Sequence, residues 1–281
     1  MKVIAERTTI LYRLELAEAL RSRWMILTAA TYSLVFGMFV WLGLRESSVL
    51  GFTGMSRVVL NLSNAMVLTI PLVALVATSQ SIVRARTSGF FELFLAQPVR
   101  RVEWLRATLI ARLAVVVAPL GVLLLLTLAY GLGEGRDGAL APMVVRALAV
   151  VLSLAWAFVG VGLWISSGAK SAERATVLAL VAWLTAAVLH DFGLIGALLR
   201  WKLKPEIVFG LAAVNPVEAS RIAILSGIDP ELSVLGPVGF WLANTLGPRW
   251  SLIIGIGWPA LLGSVAIALA SRRLARSDLV G

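Results

Sequence analysis

The sequence has no cysteine and a single histidine, His190. Without thiols there is no disulfide framework, no thiolate metal site and no cysteine nucleophile. A lone imidazole cannot supply a histidine cluster for a metal ion. No Gly-Lys pair occurs, so the phosphate-cradling loop G-x-x-x-x-G-K-[ST] is absent, and so is the metalloprotease helix H-E-x-x-H. A serine protease buried in a bilayer would have only His190 to serve as its base. The chain is therefore expected to be non-catalytic, with no cofactor of its own. Charge is scarce too, at 14% of 281 residues.

Apolar residues take up the difference. They make up 59% of the chain, and the mean hydropathy is +0.92, far outside soluble globular usage. These values describe an all-α integral membrane protein, because in lipid every backbone polar group must be bonded within its own segment. Crossing the hydrocarbon core takes roughly 20 mostly apolar residues. Six stretches qualify, at about Trp24 to Leu44, Leu60 to Val83, Leu109 to Leu132, Met143 to Ser166, Val177 to Leu199 and Ser251 to Ala270. Residues 1–281 thus read as one transmembrane domain. Pro71, Pro119 and Pro259 fall inside spans, where kinks are expected.

Six spans put both termini on one side. Most of the 25 basic residues fall on that side, so the positive-inside rule makes both termini cytoplasmic. The net charge of +10 follows from these flanks and does not point to nucleic acid, which would call for basic residues on a soluble domain. Glu6 to Arg23 reads as a helix lying on the cytoplasmic membrane surface, with Ile10, Leu14 and Ala17 along one stripe. The rival reading, a signal peptide over the first span, has against it a long apolar run and a leader mixing Glu with Arg.

Between the second and third spans lies RARTSGFFELFLAQPVRRVEWLR, residues 84–106. Ser88 can cap a short helix from Gly89 to Gln97, which Pro98 stops. Phe90, Phe91, Leu93, Phe94 and Leu95 cover a broad apolar arc, opposite Ser88, Glu92 and Ala96. Such a helix either lies in the lipid interface or enters a groove on a soluble partner.

With the leader and six spans around it, the series Arg84, Thr87, Ser88, Gly89, Glu92, Pro98 and Arg101, closed by Ser271 to Leu274 after the last span, resembles the ABC-2 class of transporter permeases. The resemblance covers essentially the whole chain. It implies that this segment is a coupling helix, with Ser88, Gly89, Phe90, Phe91, Glu92, Phe94, Pro98 and Arg101 meeting a separate cytoplasmic ATPase. That ATPase would be present in two copies and would bind the ATP and Mg. The chain would be a multi-pass protein of the cell (inner) membrane, pairing with a second copy of itself and surrounded by lipid.

The fifth span contains Trp183 and then His190-Asp191, and the segment beyond it reads NPVEASRIAILSG, residues 215–227. Asn215, Pro216, Arg221, Leu225, Ser226 and Gly227 resemble a motif of the permeases that mature nitrous oxide reductase. This implies a periplasmic β-helix partner and a part in copper or sulfur delivery. The alternative is an ABC-2 exporter of a lipid, peptide, antibiotic or polysaccharide. A membrane scaffold is a further alternative. His190 and Asp191 are read either as groups near the outer headgroups, with Asp191 paired to Arg200 or Lys202, or as a polar switch or gate at the dimer seam. The six methionines, Met1, Met25, Met38, Met55, Met66 and Met143, are scattered without close pairs. They read as packing rather than as a path for a soft ion. Ile207 to Val214 and Val238 to Leu246 are expected to form short outer helices, as a lid over the dimer seam or a docking platform, and re-entrant hairpins are possible there.

Overall fold

The computed structural model describes residues 2–46, 54–91, 100–133, 140–201, 203–227 and 236–276, and no strand occurs among them. Helices α1 (Lys2–Leu20) and α2 (Arg23–Glu46) are joined by a turn at Arg21 and Ser22. The leader helix thus begins four residues before the expected Glu6. The Ile10 and Leu14 stripe faces outward, at 53% and 63% exposure, while Ala19 on the other side is buried. That is the arrangement a helix takes when it lies between lipid and the bundle.

The expected second span is broken. Helix α3 (Gly54–Thr78) stops at a turn through Ser79 and Gln80, and α4 (Ser81–Thr87) follows. A new helix start leaves amide groups without partners. Here the buried Ser166 hydroxyl accepts from Ile82 N at 2.9 Å and Val83 N at 3.1 Å. Ser166 lies on α6 (Leu140–Gly168), which follows α5 (Arg101–Gly133). Truncation by Ser166→Ala is expected to strand two buried amides, at a cost of about 1–3 kcal/mol. The drop in unfolding temperature of the detergent-purified chain checks it, with Ser167→Ala as the comparison.

Next comes α7 (Ala172–Leu184), a π-helical turn over Thr185–Leu189, and α8 (His190–Arg200), together one long span. Two proline-started helices follow, α9 (Pro205–Val214) and α10 (Pro216–Leu225), bent by 116° at Asn215. The two form a sharply bent helical hairpin. Its second arm covers the motif read from the sequence as part of a loop. Helices α11 (Gly236–Thr245) and α12 (Gly247–Arg276) complete the described chain.

Among the described residues five segments are long and apolar enough to cross a bilayer, namely Ala65–Thr87, Arg101–Ala129, Leu140–Gly168, Ala172–Arg200 and Gly247–Arg276; the hairpin would be a sixth if counted as one span. Helix α2 has 24 residues, and its described apolar stretch is Met25–Met38. Pro71, Pro119 and Pro259 each sit within a continuous helix.

Helix α6 is the axis of the bundle, packed most extensively against α12 and α3. Within lipid, helices associate by close backbone approach at small residues. At the α6–α12 crossing, a Cβ added to Gly160 would stand 2.6 Å from the Gly263 carbonyl oxygen, and one added to Gly263 would stand 2.6 Å from the Trp156 carbonyl oxygen.

Candidate functional site

Two polar constellations stand at opposite ends of the bundle. The first surrounds the loop after α4. Ser88 ends α4: its N–H donates to Arg84 O at 2.9 Å and its hydroxyl to Ala85 O at 3.4 Å. Gly89 follows at φ 72°, the left-handed conformation that lets a helix stop and the chain turn. Ser88 therefore acts as the C-terminal cap of the preceding helix. Phe90 and Phe91 are again helical, while Glu92, Phe94 and Pro98 lie outside the described residues.

The aromatic arc is divided. Phe90 is 38% exposed, whereas Phe91 is fully buried. The ring of Phe91 stands edge-on to Trp104 of α5, with centroids 4.9 Å apart, so Phe91 anchors the loop to its own bundle. Trp104 Nε1 in turn donates to Glu15 Oε1 of α1 at 2.9 Å, and Thr108 Oγ1 donates to Glu15 Oε2 at 3.3 Å. Burial pushes the Glu15 carboxyl above its ordinary range, with the nearby Glu18 acting in the same direction. Leader helix, loop and α5 are thus joined through one indole.

The loop is fastened on both flanks. On the near side, Arg86 Nη2 donates to Ser167 O at 3.1 Å and Gln80 Nε2 donates to Thr176 Oγ1. On the far side, the Glu103 carboxylate accepts from Arg100 N at 3.0 Å, half of a capping box that starts α5. Arg101 Nη1 donates to Leu274 O at 3.1 Å, at the end of α12. These bonds tie the flanks of the loop to α6, α7 and α12.

The second constellation joins the two sequence motifs of the fifth span and the hairpin. At a rise of 1.5 Å per residue, His190 stands roughly 27 Å along the helix from Ala172, near the opposite edge of a bilayer core. Arg221 Nη1 of α10 lies 3.5 Å from Asp191 Oδ2 and 2.5 Å from Glu218 Oε1. His190 Nδ1 is 3.8 Å from Asp191 Oδ1, and its Nε2 is 3.1 Å from Leu211 O of α9. The described partner of Asp191 is thus Arg221 and not Arg200; Lys202, the other partner expected from sequence proximity, lies outside the described residues. The side chains are partly exposed, from 13% for Glu218 to 31% for Arg221. Among the described residues no three His, Asp or Glu side chains are grouped to hold a metal ion. In this cluster the space between the two carboxylates is taken by a guanidinium.

The remaining motif residues build the hairpin. A π turn frees a backbone carbonyl, and Asn215 Nδ2 donates to Ala186 O within it at 2.6 Å. Asn215 Oδ1 accepts from Val217 N at 3.0 Å, capping α10, whose first residue is Pro216. At the far end Arg146 of α6 donates through Nε to Ala223 O and through Nη2 to the Ser226 hydroxyl, both at 2.7 Å. Gly227 makes room for it, since a Cβ there would stand 2.5 Å from the Arg146 side chain.

Sequence reasoning missed Glu218 and Arg146. Glu218 stood three residues before Arg221, one turn away on a helix. Arg146 was the only charge in the apolar run from Met143 to Ser166, and an isolated charge in a span always needs a partner.

The profile described as ABC-2 family transporter protein matches residues 9–279. A protein of Stutzerimonas stutzeri named "Probable ABC transporter permease protein NosY" is 27% identical over 270 residues, covering 92% of this chain and 93% of that protein. A protein of the same name from Pseudomonas aeruginosa is 26% identical over 230 residues, covering 77% of this chain and 81% of its own length.

Proposed function

This chain belongs to the ABC-2 family of transporter proteins, and from that premise we propose that it is the force-transmitting permease subunit of an ABC transporter that takes part in maturing nitrous oxide reductase. A separate cytoplasmic ATPase, in two copies, binds ATP and Mg and pushes on the segment after α4. The carrying observation is the fastening of that loop on both flanks: Arg86 and Gln80 tie one end to α6 and α7, and Arg101 ties the other to α12. A loop held in this way moves helices when it moves, and a loop hanging free would only bend.

The orientation follows the charge. Both termini and the fastened loop face the cytoplasm, and the hairpin with its ionic cluster faces the periplasm. There the pairing of Asp191 with Arg221 latches the hairpin to the fifth span. Release of that pairing is the outer-gate movement, read by a periplasmic β-helix partner docked over the hairpin. A second copy of the chain covers the apolar face of α7, where Val177, Leu178, Leu180 and Val181 stand exposed. Nothing in the methionine spacing suggests a copper path through the helices. The chain's part in copper or sulfur delivery is therefore mechanical.

The test is co-purification with the ATPase subunit and measurement of its stimulated hydrolysis. Glu92→Ala and Phe94→Ala are each expected to lower recovery of the ATPase at least ten-fold, with the chain still inserted and folded. Unchanged recovery and unchanged stimulation would overturn the coupling role. Loss of copper from the reductase in cells carrying the Glu92 variant supports the maturation role. Full copper occupancy there would favour export of another cargo.

A further inference from the structure

The ending Ser271-Arg272-Arg273-Leu274 is not used by the coupling loop or by the hairpin, apart from the backbone carbonyl of Leu274. Its arginines border a cavity of about 670 Å³ at the loop end of the bundle, between the end of α6, the last turn of α12 and α4. Arg86, Arg272, Arg273 and Arg276 converge on it, and among the described residues no acidic side chain lines it. Among the described residues none of the four makes an ion pair with a carboxylate. Arg86 Nη2 is held by Ser167 O, while its Nε is buried without a hydrogen-bond partner. Arg273 stacks over the Trp164 ring at 5.1 Å, and Gly168 leaves the space for it, since a Cβ there would stand 2.5 Å from Arg273 Nη1.

Four guanidinium groups gathered without acids repel one another unless an anion joins them. Arginine's planar fork suits phosphate oxygens in particular. The cavity also continues into an apolar face. Leu261, Val265 and Leu269 on α12 are exposed at 57%, 49% and 39%. Their spacing of four residues puts them on one side of the helix, leading up to Arg272, Arg273 and Arg276. A basic pocket that runs into an apolar stripe matches an amphiphile with an anionic head, and a basic pocket between spans at the cytoplasmic side is suited to a phospholipid headgroup. A soluble anion would have no use for the stripe.

We propose that this cavity is a binding site for an anionic phospholipid, its phosphodiester held by Arg86, Arg272, Arg273 and Arg276 and one acyl chain laid along Leu269, Val265 and Leu261. The site does not depend on the partner ATPase or on the cargo.

The test is native mass spectrometry of the full chain, delipidated in mild detergent and offered phosphatidylglycerol, cardiolipin or phosphatidylcholine at equal concentration. Wild-type chain is expected to retain the two anionic lipids and not phosphatidylcholine. Arg272→Gln with Arg276→Gln, both exposed positions, is expected to weaken retention roughly 25-fold, about five-fold per charge. Arg272→Lys with Arg276→Lys should keep most of it. Arg13→Gln with Arg21→Gln, exposed on the leader helix, should change little. Equal loss from the leader variant would show diffuse surface attraction and overturn the site. So would equal retention of phosphatidylcholine, or displacement of the lipid by millimolar inorganic phosphate. Loss of the ATPase or of the second copy from the Gln variant, with lipid retention intact, would also overturn it by assigning the arginines to a protein interface.

Discussion

Arg221→Ala is expected to lower the stability of the folded chain by about 2–3 kcal/mol, less than the roughly 3–5 kcal/mol of breaking a fully buried ion pair because these groups are partly exposed. The loss does not come mainly from the missing attraction. Without the guanidinium, Asp191 and Glu218 are left as two neighbouring carboxylates that have lost the cation they shared at 3.5 Å and 2.5 Å. The origin of the effect is checked by a second variant. Arg221→Gln combined with Glu218→Gln removes both signs at once and should recover most of the stability. Arg221→Lys should fall between, since it keeps the charge that Nη1 presents to both carboxylates but carries it on a more strongly hydrated group. Thermal unfolding in detergent reads all three, and an Arg221→Ala chain as stable as wild type would remove the cluster from any latching role. In function, the Gln pair should keep its ATPase partner and lose coupled output, because the loop end of the molecule is untouched.

Gly263→Leu is expected to have the larger structural effect, at least about 3 kcal/mol, with little folded chain recovered. A Cβ at Gly263 would stand 2.5 Å from Trp156 Cδ1, 2.6 Å from the Trp156 carbonyl oxygen and 2.8 Å from Ala157 Cα. Two of these three neighbours are backbone and cannot rotate aside. Helix α12 must then separate from α6 at the most extensive contact in the bundle. Gly257→Leu on the same helix, where nothing lies within 4 Å of an added Cβ, should be tolerated. Equal tolerance at both positions, read as monodisperse yield and unfolding temperature, would show that close approach at this crossing does not hold the two helices together.

The helices were legible in the sequence because apolar runs of about 20 residues have few other uses. The break after Thr78 was not, although the polar series Thr78, Ser79, Gln80 and Ser81 marked it, because its stability comes from Ser166, more than 80 positions away. His190, Asp191 and Arg221 stood out as polar residues in apolar surroundings. That they meet was hidden by the 116° bend, whose place Asn215-Pro216 marks but whose angle it does not fix. The π turn had no signature either. It is an irregularity whose freed carbonyl is bonded by an asparagine 29 residues later. In the segment after α4 the aromatic pattern was visible, and the division between an inward Phe91 and an outward Phe90 depended on Trp104, on a different helix.

The turn over Thr185–Leu189 also sets a rule for the length of its span. Each residue of an α-helix advances the side-chain direction by 100°, and a π turn accommodates one residue more than the α-helix it interrupts. Deleting a single alanine from this stretch would therefore rewind it as ordinary helix and leave His190 and Asp191 facing the hairpin. The carbonyl that Asn215 now bonds at Ala186 would instead be taken back into the helical ladder. The extra residue between Leu184 and His190 thus serves the hinge of the hairpin and not the direction of the ionic cluster.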